Sequence, residues 1–239
     1  MAEPSLRLNF CVDIVFCVDC TESMDNILNI IKERALSFYG DLTNNMWAKQ
    51  KKIDQLRVRV VAFRDYLACD EERKKGYKGH DPMLVTDFFL LPEEGKKLEV
   101  AVRSLQPVGG GDQPEDGLEA LAYAIRSDWQ TSSDMKHRQV IVLWTDAPPH
   151  KIGTGSTASL YPKGMAANIA ELTKWWGNAQ MKGYMNQDAK RLILFAPDEG
   201  DWNFVSEQWD KVVHFPSRAG DGLSKLDYET ILSCIAQSI

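Results

Sequence analysis

Three continuous apolar runs stand out in the pattern of hydrophobic and polar positions along the chain. The runs IVFCV, VIVLW and LILFA are followed within two residues by Asp19, by Asp146 and by Asp198. Runs that are apolar at every position are typical of strands buried on both faces of a parallel sheet, with helices above and below. The pattern therefore predicts such a sheet, with carboxylates where its strands end.

Shorter patterns supply the remaining elements. Apolar residues recur at helical spacing in six segments, and alternating or β-branched segments mark additional strands. The predicted helices are residues 25–46, 92–104, 115–129, 164–182, 201–210 and 226–238. The predicted strands are residues 10–18, 56–65, 83–91, 137–146, 191–196 and 211–215. Residues 66–82 are rich in charge and glycine, which favours an exposed loop.

Strands that alternate with helices, without a long linker or a repeat, predict one α/β domain over residues 1–239. We expect a doubly wound, mostly parallel central sheet with one antiparallel edge strand and helices on both faces. In such sheets the functional crevice lies outside the carboxyl ends of the strands. Asp19, Asp65 and Asp146 all fall at predicted carboxyl ends, and Asp112 falls in a loop before a helix.

Composition narrows the classes of partner. The chain has 239 residues and a net charge of −6, which argues against general binding to nucleic acid or to anionic membranes. Its five cysteines are odd in number, and Cys11 and Cys17 lie in or beside the first apolar run, which favours a reducing, cytoplasmic setting. We expect no secretory signal in residues 8–20, because Asp13 interrupts the apolar run, and no stretch long and uncharged enough to span a membrane.

Candidate metal ligands lie directly after the first predicted strand. Asp19, Thr21 and Ser23 alternate with other residues on one tight turn, so that a carboxylate and two hydroxyls converge. Three hard oxygens suit a divalent cation such as Mg²⁺. A hydroxyl just before Met24 could also cap the following helix, and the two roles are compatible. Carboxylates gathered on one rim would repel each other unless a cation lay among them.

Three loops in a fixed order carry a family resemblance. They are Asp19-Cys20-Thr21-Glu22-Ser23 after the first strand, the sequence GGGDQPED at residues 109–116, and TDAPPH at residues 145–150. With FRDY at residues 63–66, the chain resembles a von Willebrand factor type A (vWA) domain over nearly its whole length. It looks most like the vWA domains attached to atypical alpha-kinases and those related to hemicentin.

The resemblance implies a metal-ion-dependent adhesion site. Its ligands would be Asp19, Thr21, Ser23, Asp112 and Asp146, around Mg²⁺ or else Mn²⁺ or Ca²⁺. The family usually places a threonine where Asp112 stands. An additional anion there would raise the affinity for the cation and make it less electrophilic, so we expect a more closed or more structural site than in adhesive vWA domains.

Each candidate also has a purely structural explanation. Asp112 could cap the helix that begins near Pro114, and Asp146 could be a turn residue before Pro148. Asp65 and Glu115 are better explained as local salt-bridge residues than as ligands. His150 is best explained as a surface residue or one beside the site. The Trp175-Trp176 pair must leave one indole less buried, either as a contact surface or, more simply, as a packed edge.

Two functions follow from this pattern. The first is a non-enzymatic, metal-dependent protein-binding module, which as an intracellular chain would serve as a scaffold in a signalling or stress-response complex. Its protein partner is not specified by the sequence. The alternative is a metal-dependent phosphohydrolase of the haloacid-dehalogenase type with Asp19 as nucleophile. That chemistry needs a second Asp two residues further on and a lysine for the phosphoryl group, whereas this chain has Thr21.

Overall fold

A computed structural model describes residues 8–77, 80–109, 114–131, 135–221, 223 and 225–239. The strands are β1 (Leu8–Asp19), β2 (Lys51–Phe63), β3 (Met83–Val85), β4 (Phe89–Leu91), β5 (Lys136–Trp144), β6 (Lys190–Pro197) and β7 (Val212–Ser217). The helices are α1 (Asp25–Arg34), α2 (Phe38–Ala48), α3 (Tyr66–Lys74), α4 (Gly95–Arg103), α5 (Gly117–Ile125), α6 (Ile169–Trp176), α7 (Asp201–Gln208) and α8 (Tyr228–Ser238). Within this described part, no helix is both long enough and apolar enough to cross a membrane.

The sheet is wound in both directions from β1. Its order is β3-β2-β1-β5-β6-β7, and β4 pairs with β2 beside β3. β1 is parallel to β2 and to β5, and the parallel pairing continues through β6 to β7. This is the doubly wound vWA-type fold that the sequence predicts, and its switch point lies at the carboxyl ends of β1 and β5.

The antiparallel edge is confirmed, but it is two short strands rather than one. β3 and β4 both run antiparallel to β2. Between them, Thr86 Oγ1 accepts a hydrogen bond from Val60 N at 3.0 Å and donates one to Asp87 O at 2.8 Å. A side chain thus takes the place of a backbone partner, which interrupts the predicted strand over residues 83–91.

Both faces of the sheet are buried under helices. On one face, Ile14 and Phe16 of β1 pack in a core with residues of α1, α2, α4 and α8. On the other face, Val15 and Cys17 pack with residues of α5, α6 and α7. Because neighbouring residues of a strand point to opposite faces, burial on both sides explains why the β1 sequence is apolar at consecutive positions.

The prediction of one continuous helix over residues 25–46 is wrong. The chain forms α1 and α2, separated by a turn at residues 35–37. α1 packs against α4, whereas α2 packs against β2 and α8. One straight helix could not present its apolar residues to both sets of neighbours. Apolar spacing alone did not reveal the turn, because Ala35 within it and Phe38 directly after it are both buried.

Two further boundaries differ from the prediction. Residues 66–74 form α3 instead of an exposed loop, because Asp65 caps the helix by accepting from Ala68 N at 2.7 Å and Tyr66 and Cys69 are buried beneath it. The predicted helix over residues 164–182 is limited to α6. It ends at Gly177, which has a φ of 73° and donates its N–H to Thr173 O at 2.9 Å.

Candidate metal-binding site

The first loop folds its hydroxyls back onto the carboxylate that ends β1. Asp19 Oδ1 accepts hydrogen bonds from Thr21 N at 2.9 Å and from Thr21 Oγ1 at 2.7 Å. The start of the turn is tied to the neighbouring strand, since Cys20 N donates to Phe63 O at 2.9 Å. The Asp-x-Thr spacing therefore produces a compact oxygen cluster at the end of a buried strand.

The third loop completes this cluster from β5. Thr145 Oγ1 donates to Asp19 Oδ2 at 2.6 Å, and Ser23 Oγ donates to Asp146 Oδ1 at 2.8 Å. Thr21 Oγ1 and Ser23 Oγ lie 3.3 Å apart. Side-chain oxygens from two loops more than 100 residues apart in sequence thus form one continuous row of neighbouring oxygens at the switch point of the sheet.

The oxygen spacing fits a small divalent cation. In an octahedral Mg²⁺ site with bonds of about 2.1 Å, neighbouring ligand oxygens lie about 3.0 Å apart. The separations from Asp19 to Thr21, from Thr21 to Ser23 and from Ser23 to Asp146 are 2.7, 3.3 and 2.8 Å. Two carboxylates and two hydroxyls, all hard oxygen donors, are the chemistry that Mg²⁺ prefers.

The two carboxylates of this site are buried. The site is accessible to solvent at Ser23. The exposed fractions of Asp19 and Asp146 are 0% and 1%, whereas Ser23 is exposed. Burial raises the pKa of Asp19 to about 6, although the hydrogen bonds from Thr145 and Thr21 lower it. No lysine or arginine forms an ion pair with Asp19 among the residues that the structure describes. A positive charge would therefore stabilise this carboxylate strongly.

The second loop touches both of the others. Glu22 N donates to Gly109 O, and Val108 N donates to Cys20 O, each at 3.0 Å. Further along, Glu115 N donates to Pro148 O at 3.1 Å. Asp112, the fifth predicted ligand, lies outside the described residues, so its role stays a prediction. The structure brings together the other four: Asp19, Thr21, Ser23 and Asp146.

Asp65 does not join this chain of oxygens, although it also follows a strand. Its carboxylate accepts from Ala68 N and lies 2.7 Å from His150 Nε2. Burial raises the pKa of Asp65, but the His150 hydrogen bond and the cap of α3 outweigh it, so the pKa is lowered overall. The hydrogen bond that His150 donates to Asp65 raises the pKa of His150. The pair is therefore a local ion pair beside the candidate site.

A second acidic cluster lies under the His150 loop. Asp116 Oδ2 accepts from Tyr66 N at 2.6 Å, and Glu119 Oε1 accepts from Gly153 N at 2.9 Å and Tyr161 Oη at 3.0 Å. Asp116 Oδ1 and Glu119 Oε2 are buried without a hydrogen-bond partner in the described structure. Burial raises the pKa of both carboxyls, that of Asp116 to about 7.

This second cluster is not a preformed cation site. Throughout the described ranges, no three His, Cys, Asp or Glu side chains are grouped so that they could hold a metal ion. The site at Asp19 differs because hydroxyls supply half of its oxygens. Its shape therefore depends on the Asp-x-Thr-x-Ser turn rather than on a concentration of acidic residues.

Sequence reasoning missed three of these side chains. The sequence indicates Thr145 only as part of the TDAPPH loop, yet pairing of Val18 with Trp144 places the next residues, Asp19 and Thr145, side by side. Glu119 had a weaker signal: it lies in GLEALAYAI, a helix that is apolar almost all round and must be buried. No feature of the sequence distinguishes Asp116 from an ordinary acidic residue at the start of a helix.

Comparison with known proteins supports the fold. No protein-family model matches the chain, and a search of curated proteins gives no match either. Among solved structures, one form of the pilus adhesin SpaC from Lactobacillus rhamnosus GG is 12% identical, with a TM-score of 0.51 over 98% of this chain and 31% of that chain. The vWF domain of the type V pili tip protein Mfa5 from Porphyromonas gingivalis is 19% identical, with a TM-score of 0.35 over 62% of this chain and 40% of that chain. This chain thus spans about a third of the SpaC adhesin, with which it shares a fold.

Proposed function

We propose that this chain is a non-enzymatic protein-binding module that depends on a divalent cation, most simply Mg²⁺, with Mn²⁺ or Ca²⁺ as alternatives. Asp19, Thr21, Ser23 and Asp146 would hold the ion. The observation that carries the proposal is the unbroken chain of oxygens from Asp19 to Asp146, spaced as neighbouring ligands of one small cation.

The division of burial within the site supports a role in binding. Asp19 and Asp146 lie at the base, where they would hold the cation, and Ser23 lies at the exposed side. When bound, the cation would supply a positive centre that can accept an oxygen ligand from a partner. Thr145 positions the Asp19 carboxylate through its 2.6 Å hydrogen bond, so that the other carboxylate oxygen faces Thr21.

Metal binding is tested by titrating Mg²⁺ and Mn²⁺ into the protein in a calorimeter. Asp19→Ala and Asp146→Ala should abolish the signal, and Ser23→Ala should weaken it. Asp198→Ala is the matched control, because Asp198 is an exposed aspartate just beyond β6 on the same edge of the sheet. Unchanged binding in Asp19→Ala, with the control also unchanged, would remove the ion from this site.

We propose that Asp112 is a fifth ligand in place of the threonine usual in the family. An additional carboxylate would strengthen cation binding and disfavour an acidic ligand from a partner, which makes the site more closed. Replacing Asp112 by Thr should weaken Mg²⁺ binding. Binding that is unchanged or tighter in Asp112→Thr would contradict this assignment while leaving the four-residue site intact.

Partner binding is tested by affinity capture from native lysate in the presence of Mg²⁺ or of a chelator. A protein captured by the wild type with Mg²⁺, and lost with chelator and with Asp19→Ala, is the expected result. Capture that neither chelator nor the substitution affects would separate partner binding from the metal. We propose a scaffold role in a cytoplasmic signalling or stress-response complex, which is supported by five cysteines that all remain free thiols.

The phosphohydrolase alternative makes a different prediction for the same carboxylate. A nucleophilic Asp19 would need an unobstructed oxygen, yet Oδ1 accepts from Thr21 and Oδ2 accepts from Thr145. Thr21 also occupies the position where that chemistry requires a second aspartate. Metal-dependent hydrolysis of an aryl phosphate, lost in Asp19→Asn, would favour the alternative over a binding module.

A further inference from the structure

A basic cavity lies beside α5, away from the candidate metal site. It has a volume of about 270 Å³, and its lining includes Arg59, Arg126, Lys163, Tyr123 and Trp175. α5 begins beside the metal-site loops and ends next to Arg126, so the cavity lies roughly one length of this helix, ~13 Å, from them. Three cationic side chains in one concavity are unexpected in a chain of net charge −6.

Arg59 is half-buried, and no carboxylate of a described residue forms an ion pair with it. Its guanidinium donates from Nε to Thr86 O at 2.7 Å and from Nη1 to Ser127 Oγ at 2.9 Å, both neutral acceptors. Asp87 and Asp128 raise its pKa from a distance, but burial has the larger effect and lowers it overall. In the described chain no ion pair shorter than 4 Å involves Arg59. An anion in the cavity would compensate this buried charge.

Arg126 and Lys163 complete the basic wall. Arg126 Nη1 donates to Gly164 O at 2.9 Å, and its guanidinium lies 5.0 Å from the Trp175 ring and 5.7 Å from the Tyr184 ring. These contacts hold the planar guanidinium in place, so less side-chain freedom is lost when it binds a ligand. Lys163 is exposed and forms no ion pair with any described residue. Among the residues that the structure describes, no acidic side chain lines the cavity.

The remaining residues that line the cavity indicate a ligand larger and less polar than an inorganic anion. Trp175 is half-buried whereas its neighbour Trp176 is buried, so the cavity uses the less covered indole of the pair. Tyr123 and Met165 add further apolar surface. The volume also exceeds that needed for an inorganic anion and is close to the lower limit for pockets that hold small organic ligands.

We propose that this cavity binds a phosphate monoester that carries an apolar group, with the phosphate at Arg59, Arg126 and Lys163 and the apolar group against Trp175. Guanidinium groups form bidentate hydrogen bonds with phosphate, and a dianionic phosphate monoester carries one more negative charge than a carboxylate or a sulfonate. The ester could be a free small molecule or a phosphorylated aromatic side chain of a protein. The site is independent of the proposed metal.

The proposal is tested with phenyl phosphate as the probe, followed by amide NMR shifts at Gly164 and by the Trp175 indole signal. We expect saturable binding with a dissociation constant between about 0.01 and 1 mM. The double variant Arg126→Gln, Lys163→Gln should weaken it at least about tenfold, a loss of roughly 1.4 kcal/mol. These side chains are exposed, so the variant should fold.

Controls define what would overturn the proposal. Lys174→Gln removes an exposed lysine that is next to Trp175 but does not line the cavity, and it should leave binding unchanged. Ser23→Ala and chelator should also have no effect, which separates this site from the metal site. Benzenesulfonate should bind more weakly.

The absence of saturable binding, equal binding in the double variant, or equal affinity for benzenesulfonate would each refute the proposal. A phosphotyrosine peptide that binds more tightly than phenyl phosphate would identify a protein source, and equal or weaker binding a small molecule.

Discussion

Two buried pairs of carboxyl groups lie at the same end of the sheet and are stabilised in different ways. At the candidate metal site, the Asp19 and Asp146 carboxylates are linked through the hydroxyls of Thr21 and Ser23. In the neighbouring cluster, Asp116 and Glu119 each keep one buried oxygen without a hydrogen-bond partner in the described structure. The first pair has its oxygens arranged for a shared ligand, and the second does not.

Protonation explains how the second pair can exist. The pKa of Asp116 is raised to about 7 by burial and by the nearby Glu119 charge, which favours its protonated form. The hydrogen bond to Asp65 raises the pKa of His150, which favours a positive charge close by. Burial of acidic side chains alone is thus not evidence for a cation, whereas burial with hydroxyls at ligand spacing is.

The largest expected effect is stabilisation by Mg²⁺, which should depend on the Asp19–Asp146 pair and not on the Asp116–Glu119 pair. Saturating Mg²⁺ at about 100 times the dissociation constant should stabilise the wild type by about 2.7 kcal/mol, which corresponds to a rise in Tm of roughly 5–10 °C. Asp19→Asn should lose this rise, and Asp116→Asn should keep it. The measurement is thermal unfolding with and without chelator. A Tm rise that survives in Asp19→Asn, or disappears in Asp116→Asn, would reverse the assignment of the two pairs.

The next effect is the pH dependence of folding stability, which should depend on Asp116 in the second pair. The folded-state pKa of Asp116 lies above its unfolded value, so its protonated form contributes stability that is complete below pH 3.8 and is lost as the pH rises through about 7. Glu119 and His150 are shifted in the same direction. Asp116→Asn keeps an acceptor for Tyr66 N without the titration, and should be more stable than wild type at pH 8 by on the order of 2 kcal/mol.

This is measured by denaturant unfolding at pH 5.5 and 8 with Mg²⁺ present. Asp198→Asn, an exposed aspartate, serves as the control and should follow the wild type at both pH values. Equal pH dependence in Asp116→Asn and wild type would show that the buried pair is not the source of the titration.

A smaller effect concerns the residue that positions Asp19. Thr145→Val removes the donor to Asp19 Oδ2 but keeps the shape, so we expect a loss of about 1.5 kcal/mol in unfolding free energy and weaker Mg²⁺ binding. Thr145→Ser keeps the hydroxyl and should retain most of the metal affinity. If serine and valine weaken binding equally, the hydroxyl does not position the carboxylate.

The sequence was most informative where one physical constraint dominates. Burial on both faces left the continuous apolar runs in β1, β5 and β6, which predicted the sheet and its functional edge. Local spacing predicted the turn that brings Thr21 and Ser23 back to Asp19. Both features depend on residues that are close together along the chain.

Features that depend on distant contacts were not predictable in the same way. The turn between α1 and α2 is set by different packing partners, and α3 was obscured because charged residues cover its exposed face. Thr145 becomes important only once β5 is known to lie beside β1. Asp116 and Glu119 were missed because a buried acid and a solvated acid look identical in sequence until the loop over them is placed.

The smallest expected effect tests whether the Asp65–His150 pair shapes the second cluster or merely lies beside it. Asp65→Asn keeps a cap for α3, since asparagine is as good a cap as aspartate, but removes the charge that faces His150. We expect the pKa of His150 to fall and the unfolding free energy to drop by about 1 kcal/mol at pH 6. Histidine NMR titration measures the first effect, with His214, whose ring binds Ala196 O, as the internal reference. Asp65 also raises the pKa of Asp116 directly, so its removal should lower that pKa, while the loss of positive charge at His150 opposes the change. An unchanged His150 pKa would mean that the imidazole charge depends on Asp116 and Glu119 instead, and that the two halves of the cluster titrate as one unit.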